Sequence, residues 1–93
     1  MQIKILTPET VVFEGEVVSM ILPGKSGEFH VMNQHAPIVS TLNAGKIRLY
    51  IAPNTIDKNH LKNLNREDES LYSFSVSGGV LEFNNNKGIL LCE

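Results

Sequence analysis

The sequence of 93 residues predicts an all-β domain, either a sandwich or a barrel. Apolar residues recur at every second position in about eight or nine short segments, which is the pattern of strands with one buried face. Turn-forming residues separate these segments, for example Asn43, Gly45 and the run 84–88. No segment of about ten or more residues has the apolar spacing of an amphipathic helix. The chain length fits one domain, residues 1–93.

Individual strands follow from the same pattern. The clearest one carries Ile47, Leu49 and Ile51 on a single buried face. Gly15 is expected to make a tight turn between the second and third strands. The predicted strands span residues 2–7, 10–13, 16–22, 38–42, 46–51, 71–76, 80–83 and 89–92.

Composition narrows the functional classes. Eight Lys and Arg residues against ten Asp and Glu residues give a net charge of −2, so the chain lacks the basic field that attracts nucleic acid. The single Cys92 cannot form an internal disulfide and indicates a reducing compartment, the cytoplasm. No signal-peptide pattern opens the chain, and no apolar run approaches about 18 residues. We therefore expect a chain that is neither exported nor membrane-spanning.

Residues 24–37 form the segment most loaded with functional side chains. They lie between two apolar strands and contain two glycines and a terminal proline, which predict irregular backbone. The segment also carries Glu28, His30 and His35. A loop of this composition is expected to contact a partner.

The predicted strand 16–22 is apolar on both faces. One face carries Val18, Met20 and Leu22, and the other carries Val17, Ser19 and Ile21. In an all-β domain with polar outer faces, this pattern indicates a strand that is covered on its outside by a partner.

Two further segments connect predicted strands, one long and polar and the other a pair of glycines. Residues 52–70 are rich in Asn and charge, and we interpret them as a long, mobile excursion, although Leu61 and Leu64 have the spacing of one helical turn. Gly78 and Gly79 predict a tight hairpin or a bulge before the strand 80–83.

Enzyme chemistry finds little support. His30 and His35 lack further ligands for a metal shell, and Ser77-Gly78-Gly79 precedes no helix that would make it a phosphate cradle. The sequence predicts no catalytic, cofactor or metal site, and the carboxylates Glu9, Glu14, Glu16 and Glu28 are expected to be solvated. A binding or interaction module is favoured. The alternatives are a free-standing β-sandwich that binds a small ligand or saccharide, and a small enzyme that uses Glu28 and His35.

Five short motifs give the chain a family resemblance. They are Thr7-Pro8-Glu9, Phe13-Glu14-Gly15-Glu16-Val17, Leu22-Pro23-Gly24, Gly27-Glu28-Phe29 and His35-Ala36-Pro37, and Ser77-Gly78-Gly79 with Glu82 extends them. In their order and spacing, across residues 1–50 and 71–93, they resemble the N-terminal β-sandwich of the epsilon subunit of F-type ATP synthase.

The resemblance implies a flattened ten-stranded β-sandwich and a non-catalytic rotor subunit in the central stalk. Its partners would be the gamma subunit and the ring of c subunits, at the cytoplasmic face of the cell membrane. Rotation of the ring, driven by protons or sodium ions, would be coupled through gamma to ATP synthesis. The residues expected to carry these contacts are Glu28, Phe29 and His30 for the c ring, His35 and Pro37 for loop order or the interface, and Val18, Met20 and Leu22 for gamma.

The chain departs from the family pattern at several points. His30 stands where the family more often has Gly, and Met32-Asn33-Gln34 replaces a segment that more often contains Pro or Gly. Residues 52–70 are longer and more polar than the family's hairpin. No segment matches the family's C-terminal helical hairpin, so we expect a subunit that couples rotation without acting as an ATP-sensing brake.

Overall fold

The computed structural model of this chain describes residues 1–52 and 61–93. These residues form strands and one short 3-10 turn, Leu61–Asn63, which confirms the predicted all-β class. The ten strands are β1 (Gln2–Leu6), β2 (Val11–Glu16), β3 (Ser19–Gly24), β4 (Gly27–Met32), β5 (Ile38–Leu42), β6 (Gly45–Tyr50), β7 (Asn65–Arg66), β8 (Leu71–Val76), β9 (Gly79–Asn84) and β10 (Lys87–Cys92).

All ten strands belong to one curled sheet. The order is β2-β1-β10-β9-β5-β3-β6-β8-β7, with β4 on the other side of β3. Strands β1 and β10 pair in parallel, and the other neighbours pair antiparallel. A single residue pair, Gly24 with Leu42, joins β5 to β3. The sheet therefore divides there into a first half (β2, β1, β10, β9, β5) and a second half (β4, β3, β6, β8, β7).

The two halves share one hydrophobic core. Alternate residues of each strand face inward, because successive side chains of a strand point to opposite sides of the sheet. The predicted inward set Ile47, Leu49 and Ile51 is buried, which confirms that face. The largest fully buried side chains come from both halves: Phe13, Phe83, Ile3, Ile5, Met20, Leu22, Ile47, Leu49, Ile51, Leu81, Leu90 and Val17.

The prediction of irregular backbone over residues 24–37 is wrong for β4. This strand pairs with β3 from Ser19 opposite Met32 to Gly24 opposite Gly27, leaving only Lys25 and Ser26 as the turn. Gly27 has a φ of 125°, which a residue with a side chain rarely adopts. The glycines therefore close a tight hairpin, and only residues 33–37 form a loop.

The turn predicted at Gly15 lies elsewhere. Gly15 is inside β2, and the chain bends instead at Val17 and Val18 before β3 begins. The bend is fixed by two backbone hydrogen bonds, from Val17 N to Met1 O at 2.8 Å and from Val18 N to Tyr50 O at 2.8 Å. Because it interrupts the alternation, Val17 and Met20 are both buried although they are three residues apart.

The polar stretch 52–70 is more ordered at its C-terminal end than the sequence suggested. Leu64 is buried and closes the 3-10 turn by donating its N–H to the Leu61 carbonyl at 3.1 Å. Residues 65–66 then form β7 on the edge of β8. The single turn at Leu61 and Leu64 is thus present, and the rest of the predicted excursion, residues 53–60, lies outside the described residues.

The hairpin predicted at Gly78 and Gly79 is absent. Strand β8 belongs to the second half and β9 to the first, so the chain crosses between the halves at this point. A Cβ on Gly79 would lie 2.5 Å from the backbone carbonyl oxygen of Leu91. Glycine is required here because β10 approaches the backbone closely.

Candidate functional site

The outside of the first half carries an exposed aliphatic surface, which we call the apolar outer face. Its members are Val39 on β5, Val80 on β9, and Ile89 and Leu91 on β10, with exposed fractions of 75%, 39%, 43% and 52%. Val39, Glu82 and Ile89 lie side by side in one cross-strand row, and Val80 and Leu91 lie in the next. Exposed apolar groups that are contiguous across strands are typical of interaction sites.

Glu82 lies inside this apolar outer face. It is opposite Val39 on β5 and opposite Ile89 on β10, so an aliphatic side chain flanks it on each side. The next residue along the row is Lys4 on β1, which is itself opposite Glu14 on β2. The face is therefore aliphatic with one carboxylate among its aliphatic groups, and Lys4, Glu14 and Lys87 border it.

The outside of the second half is different, and we call it the charged outer face. Arg48 on β6 forms an ion pair with Glu28 on β4. Lys46 Nζ lies 3.5 Å from a carboxylate oxygen of Glu67, and that oxygen accepts a hydrogen bond of 2.5 Å from Ser73 Oγ. The Ser73 hydrogen bond, followed by the charge of Lys46, lowers the pKa of the Glu67 carboxyl.

The three residues predicted to contact the c ring all lie on β4, near the tip of the β3–β4 hairpin. Glu28 is exposed and paired with Arg48, and His30 is exposed with its ring centroid 6.4 Å from that of Tyr50. Phe29 points the other way and packs on the core over Gly24, where an added Cβ would lie 2.6 Å from its ring. Of these three residues, Glu28 and His30 are thus on the outer side of the hairpin and Phe29 is on the inner side.

His35 lies in the loop between β4 and β5, beside the exposed Pro37. Its backbone N–H donates to the Met32 carbonyl at 3.0 Å, and its Nδ1 lies 2.8 Å from the Ala36 carbonyl oxygen. Its ring contacts the buried Phe83 edge-on at 6.2 Å. These contacts fix the path of the loop against the first half.

Of the two faces of strand 16–22 that could meet gamma, the one assigned to it does not form a surface. On the other, Ser19 and Ile21 are half-buried and Val17 is buried. Val18 is exposed, but Met20 and Leu22 are fully buried in the core, because the bend at Val17 and Val18 separates them from Val18. Four of the six exposed large apolar side chains among the described residues lie instead on β5, β9 and β10, and the other two are Val18, in the bend, and Met32, on β4. The sequence contained a signal for this, since residues 88–92 are apolar on both faces of β10.

Within residues 1–52 and 61–93, no group of three or more His, Cys, Asp or Glu side chains is placed to hold a metal ion. In the same part of the chain, no helix is long and apolar enough to cross a bilayer. Cys92 is buried, and desolvation raises the pKa of its thiol to about 11.

An all-β domain with an exposed aliphatic sheet face has an arrangement that is typical of protein interaction domains. Comparison with known proteins gives the family. The model of the ATP synthase delta/epsilon chain, beta-sandwich domain, matches residues 1–93. The chain belongs to this family, which confirms the resemblance seen in its motifs.

Individual relatives are named ATP synthase epsilon chain. The chain is 38% identical over 92 residues to that of Chlorobium limicola, covering 99% of this chain and 88% of the relative. It is 36% identical over 91 residues to that of Chlorobaculum tepidum, covering 98% and 86%.

Two solved mitochondrial ATP synthase structures contain chains of the same fold. One such chain is in the Tetrahymena thermophila structure of the central stalk and c ring. It matches this protein with a TM-score of 0.67 at 12% identity, and the match covers 98% of this protein and 61% of the Tetrahymena chain. A chain from the Euglena gracilis assembly of OSCP, F1 and c ring has a TM-score of 0.72 at 15% identity, with coverages of 97% and 48%.

Proposed function

We propose that this chain is a non-catalytic subunit of the central stalk of an F-type ATP synthase. It would bind the gamma subunit and the c ring at the cytoplasmic face of the cell membrane, and turn with them so that ion-driven rotation reaches the catalytic head. The observation that carries this proposal is the apolar outer face in a chain whose whole described sheet belongs to the epsilon family.

The apolar outer face is the proposed contact for gamma. Covering Val39, Val80, Ile89 and Leu91 removes aliphatic surface from water, which stabilises a complex by about 25 cal/mol per Å² before the costs of association. Of the strands beneath, β9 pairs with β5 and β10, and β10 pairs with β9 and β1, whereas β5 is joined to β3 by one residue pair. A contact centred on β9 and β10 transmits force without fraying, as a co-rotating contact requires.

The β3–β4 hairpin is the proposed contact for the c ring. Its turn residues Lys25 and Ser26 are exposed, and Glu28 and His30 face outward beside them. The Arg48 ion pair holds Glu28 on the strand, and His35 orders the loop that follows β4. An exposed ion pair is worth only about 0–1 kcal/mol, so the hairpin's contribution is shape and position more than affinity.

The gamma contact is tested by co-purification from native membranes. A tagged wild-type chain is expected to carry the other synthase subunits with it, and Val39→Asp is expected to weaken gamma binding at least about 100-fold, because an interface that buries an unpaired charge loses several kcal/mol. Ser75→Asp, an exposed position on β8, is the control. A wild-type chain that purifies without gamma, or a Val39→Asp chain that binds normally, would contradict the proposal.

The c-ring contact is tested by disulfide cross-linking. Glu28→Cys is expected to cross-link to a cysteine in the polar loop of the c subunit. Asn85→Cys is the matched control, because the β9–β10 turn lies at the opposite end of β5 from the β3–β4 turn. Cross-linking of position 28 to gamma alone would show that the hairpin faces gamma instead.

A further inference from the structure

We infer that Glu82 determines the register of the apolar outer face on its partner, by pairing with a cationic side chain, Arg or Lys, that gamma presents among apolar groups. This inference rests on the proposed function, in which gamma covers that face. It adds a residue of defined chemistry to a contact otherwise made of aliphatic side chains.

The first observation is the position of Glu82. It lies between Val39 and Ile89 in one cross-strand row, and Val80 and Leu91 occupy the adjacent row. Any surface that covers these exposed aliphatic groups must also cover the carboxylate between them. Glu82 therefore has aliphatic neighbours on both adjacent strands and on its Val80 side, while the polar row of Asn84 and Lys87 borders its other side.

The second observation is that Glu82 has no partner among residues 1–52 and 61–93. The ion pairs among the described residues involve Glu16, Glu28 and Glu67, and no hydrogen bond there reaches the Glu82 side chain. Lys87 is the diagonal neighbour of Glu82 on β10, and Lys4 is two strands away, roughly 9.6 Å by the strand spacing. Among the described residues neither lysine forms an ion pair with Glu82, and Lys4 lies directly opposite Glu14. Once gamma covers it, Glu82 needs a positive charge beside it. Gamma is the inferred source, and rescue of a Glu82 variant by a reversal in gamma distinguishes this source from Lys87.

Physical chemistry then limits the partner. A carboxylate that is removed from water without a counter-charge costs far more than its aliphatic neighbours gain, whereas a paired one adds directional specificity. An aliphatic sheet face alone would tolerate sliding by one strand or by two residues. A single charge among the aliphatic groups permits one register, which a subunit that transmits torque needs.

The test is a set of Glu82 variants, measured for binding to gamma in the assembled catalytic head depleted of this chain. Glu82→Lys is expected to weaken binding at least about 100-fold, and Glu82→Leu about tenfold, because each leaves the cation of gamma unpaired. Glu69→Lys makes the same charge change at an exposed position on the segment between β7 and β8, and is expected to stay within about threefold of wild type. Reversing the matching Lys or Arg of gamma to Glu is expected to restore binding of Glu82→Lys.

Glu82→Leu separates the possible outcomes. If it binds as tightly as wild type or more tightly, the centre of the contact holds no cation and the inference is wrong, while the proposed gamma contact stands. If no single reversal in gamma rescues Glu82→Lys, the inference is also wrong. If the wild-type chain itself fails to bind the head, the proposed function fails and the inference fails with it.

Discussion

The two outer faces of this sheet cover the same core but satisfy their side chains in opposite ways. On the charged outer face, Arg48 pairs with Glu28, and Glu67 is held by Ser73 and Lys46. On the apolar outer face, aliphatic groups are exposed and Glu82 has no partner among the described residues. Charges that are paired within the chain need no second surface to satisfy them. Exposed aliphatic groups beside an unpaired carboxylate are typical of an interaction site, which is the role proposed for the apolar outer face.

The largest expected effect is on the free energy of unfolding, when a charge is placed at a buried position instead of an exposed one. Met20→Asp is expected to unfold the isolated chain, because it buries an unpaired carboxylate at a position with 0% exposure and costs several kcal/mol against a domain stability of about 5–15 kcal/mol. Val18→Asp, two residues away and 55% exposed, is expected to change stability by no more than about 0.5 kcal/mol. Urea denaturation followed by circular dichroism measures both. A folded Met20→Asp chain would mean that the inward and outward positions of β3 are misassigned.

A smaller effect is expected from the ion pair on the charged outer face. A double-mutant cycle with Arg48→Met and Glu28→Gln is expected to give a coupling energy of about 0–1 kcal/mol, since water screens both groups. The Arg48 and Glu28 side chains are 35% and 58% exposed. Loss of the guanidinium also removes a buried Nε that has no hydrogen-bond partner among the described residues, which offsets part of the cost. A coupling energy of several kcal/mol would show that water does not screen this ion pair, and that the charged outer face depends on it for stability.

The smallest expected effect is on the titration of Glu67. Ser73→Ala is expected to raise the pKa of the Glu67 carboxyl, because the Ser73 hydrogen bond is the main cause of its lowered value. A lowered pKa in the folded state stabilises the fold above the ordinary carboxyl value of 4.5, and this stabilisation is lost as the pH falls through the folded-state pKa. NMR titration measures the shift, and Ser75→Ala, whose side chain is exposed, is the control. An unchanged pKa in Ser73→Ala would contradict the hydrogen bond as its cause.

Within the strands, the sequence determined the fold class and the inner face. Period-2 alternation correctly assigned Ile47, Leu49 and Ile51 to the core, since burying one side of a strand leaves that signature in any sheet. The short motifs were also sufficient to identify the family. The sequence was sufficient at these points because each signal is local, carried by neighbouring residues on one strand or in one turn.

Only the tertiary structure decided which surfaces are open. The bend at Val17 and Val18 changes which side of the sheet alternate residues face, and the sequence pattern did not reveal it. Met20 and Leu22 were therefore wrongly placed on the outside with Val18. The apolar outer face joins Val39 to Ile89, residues that are distant in the chain and brought together by the pairing of β5, β9 and β10. The crossing at Gly79 and the ion pair of Glu28 with Arg48 likewise depend on which strands become neighbours. Strand order is set by the burial of the whole core, and no local stretch of sequence contains that information.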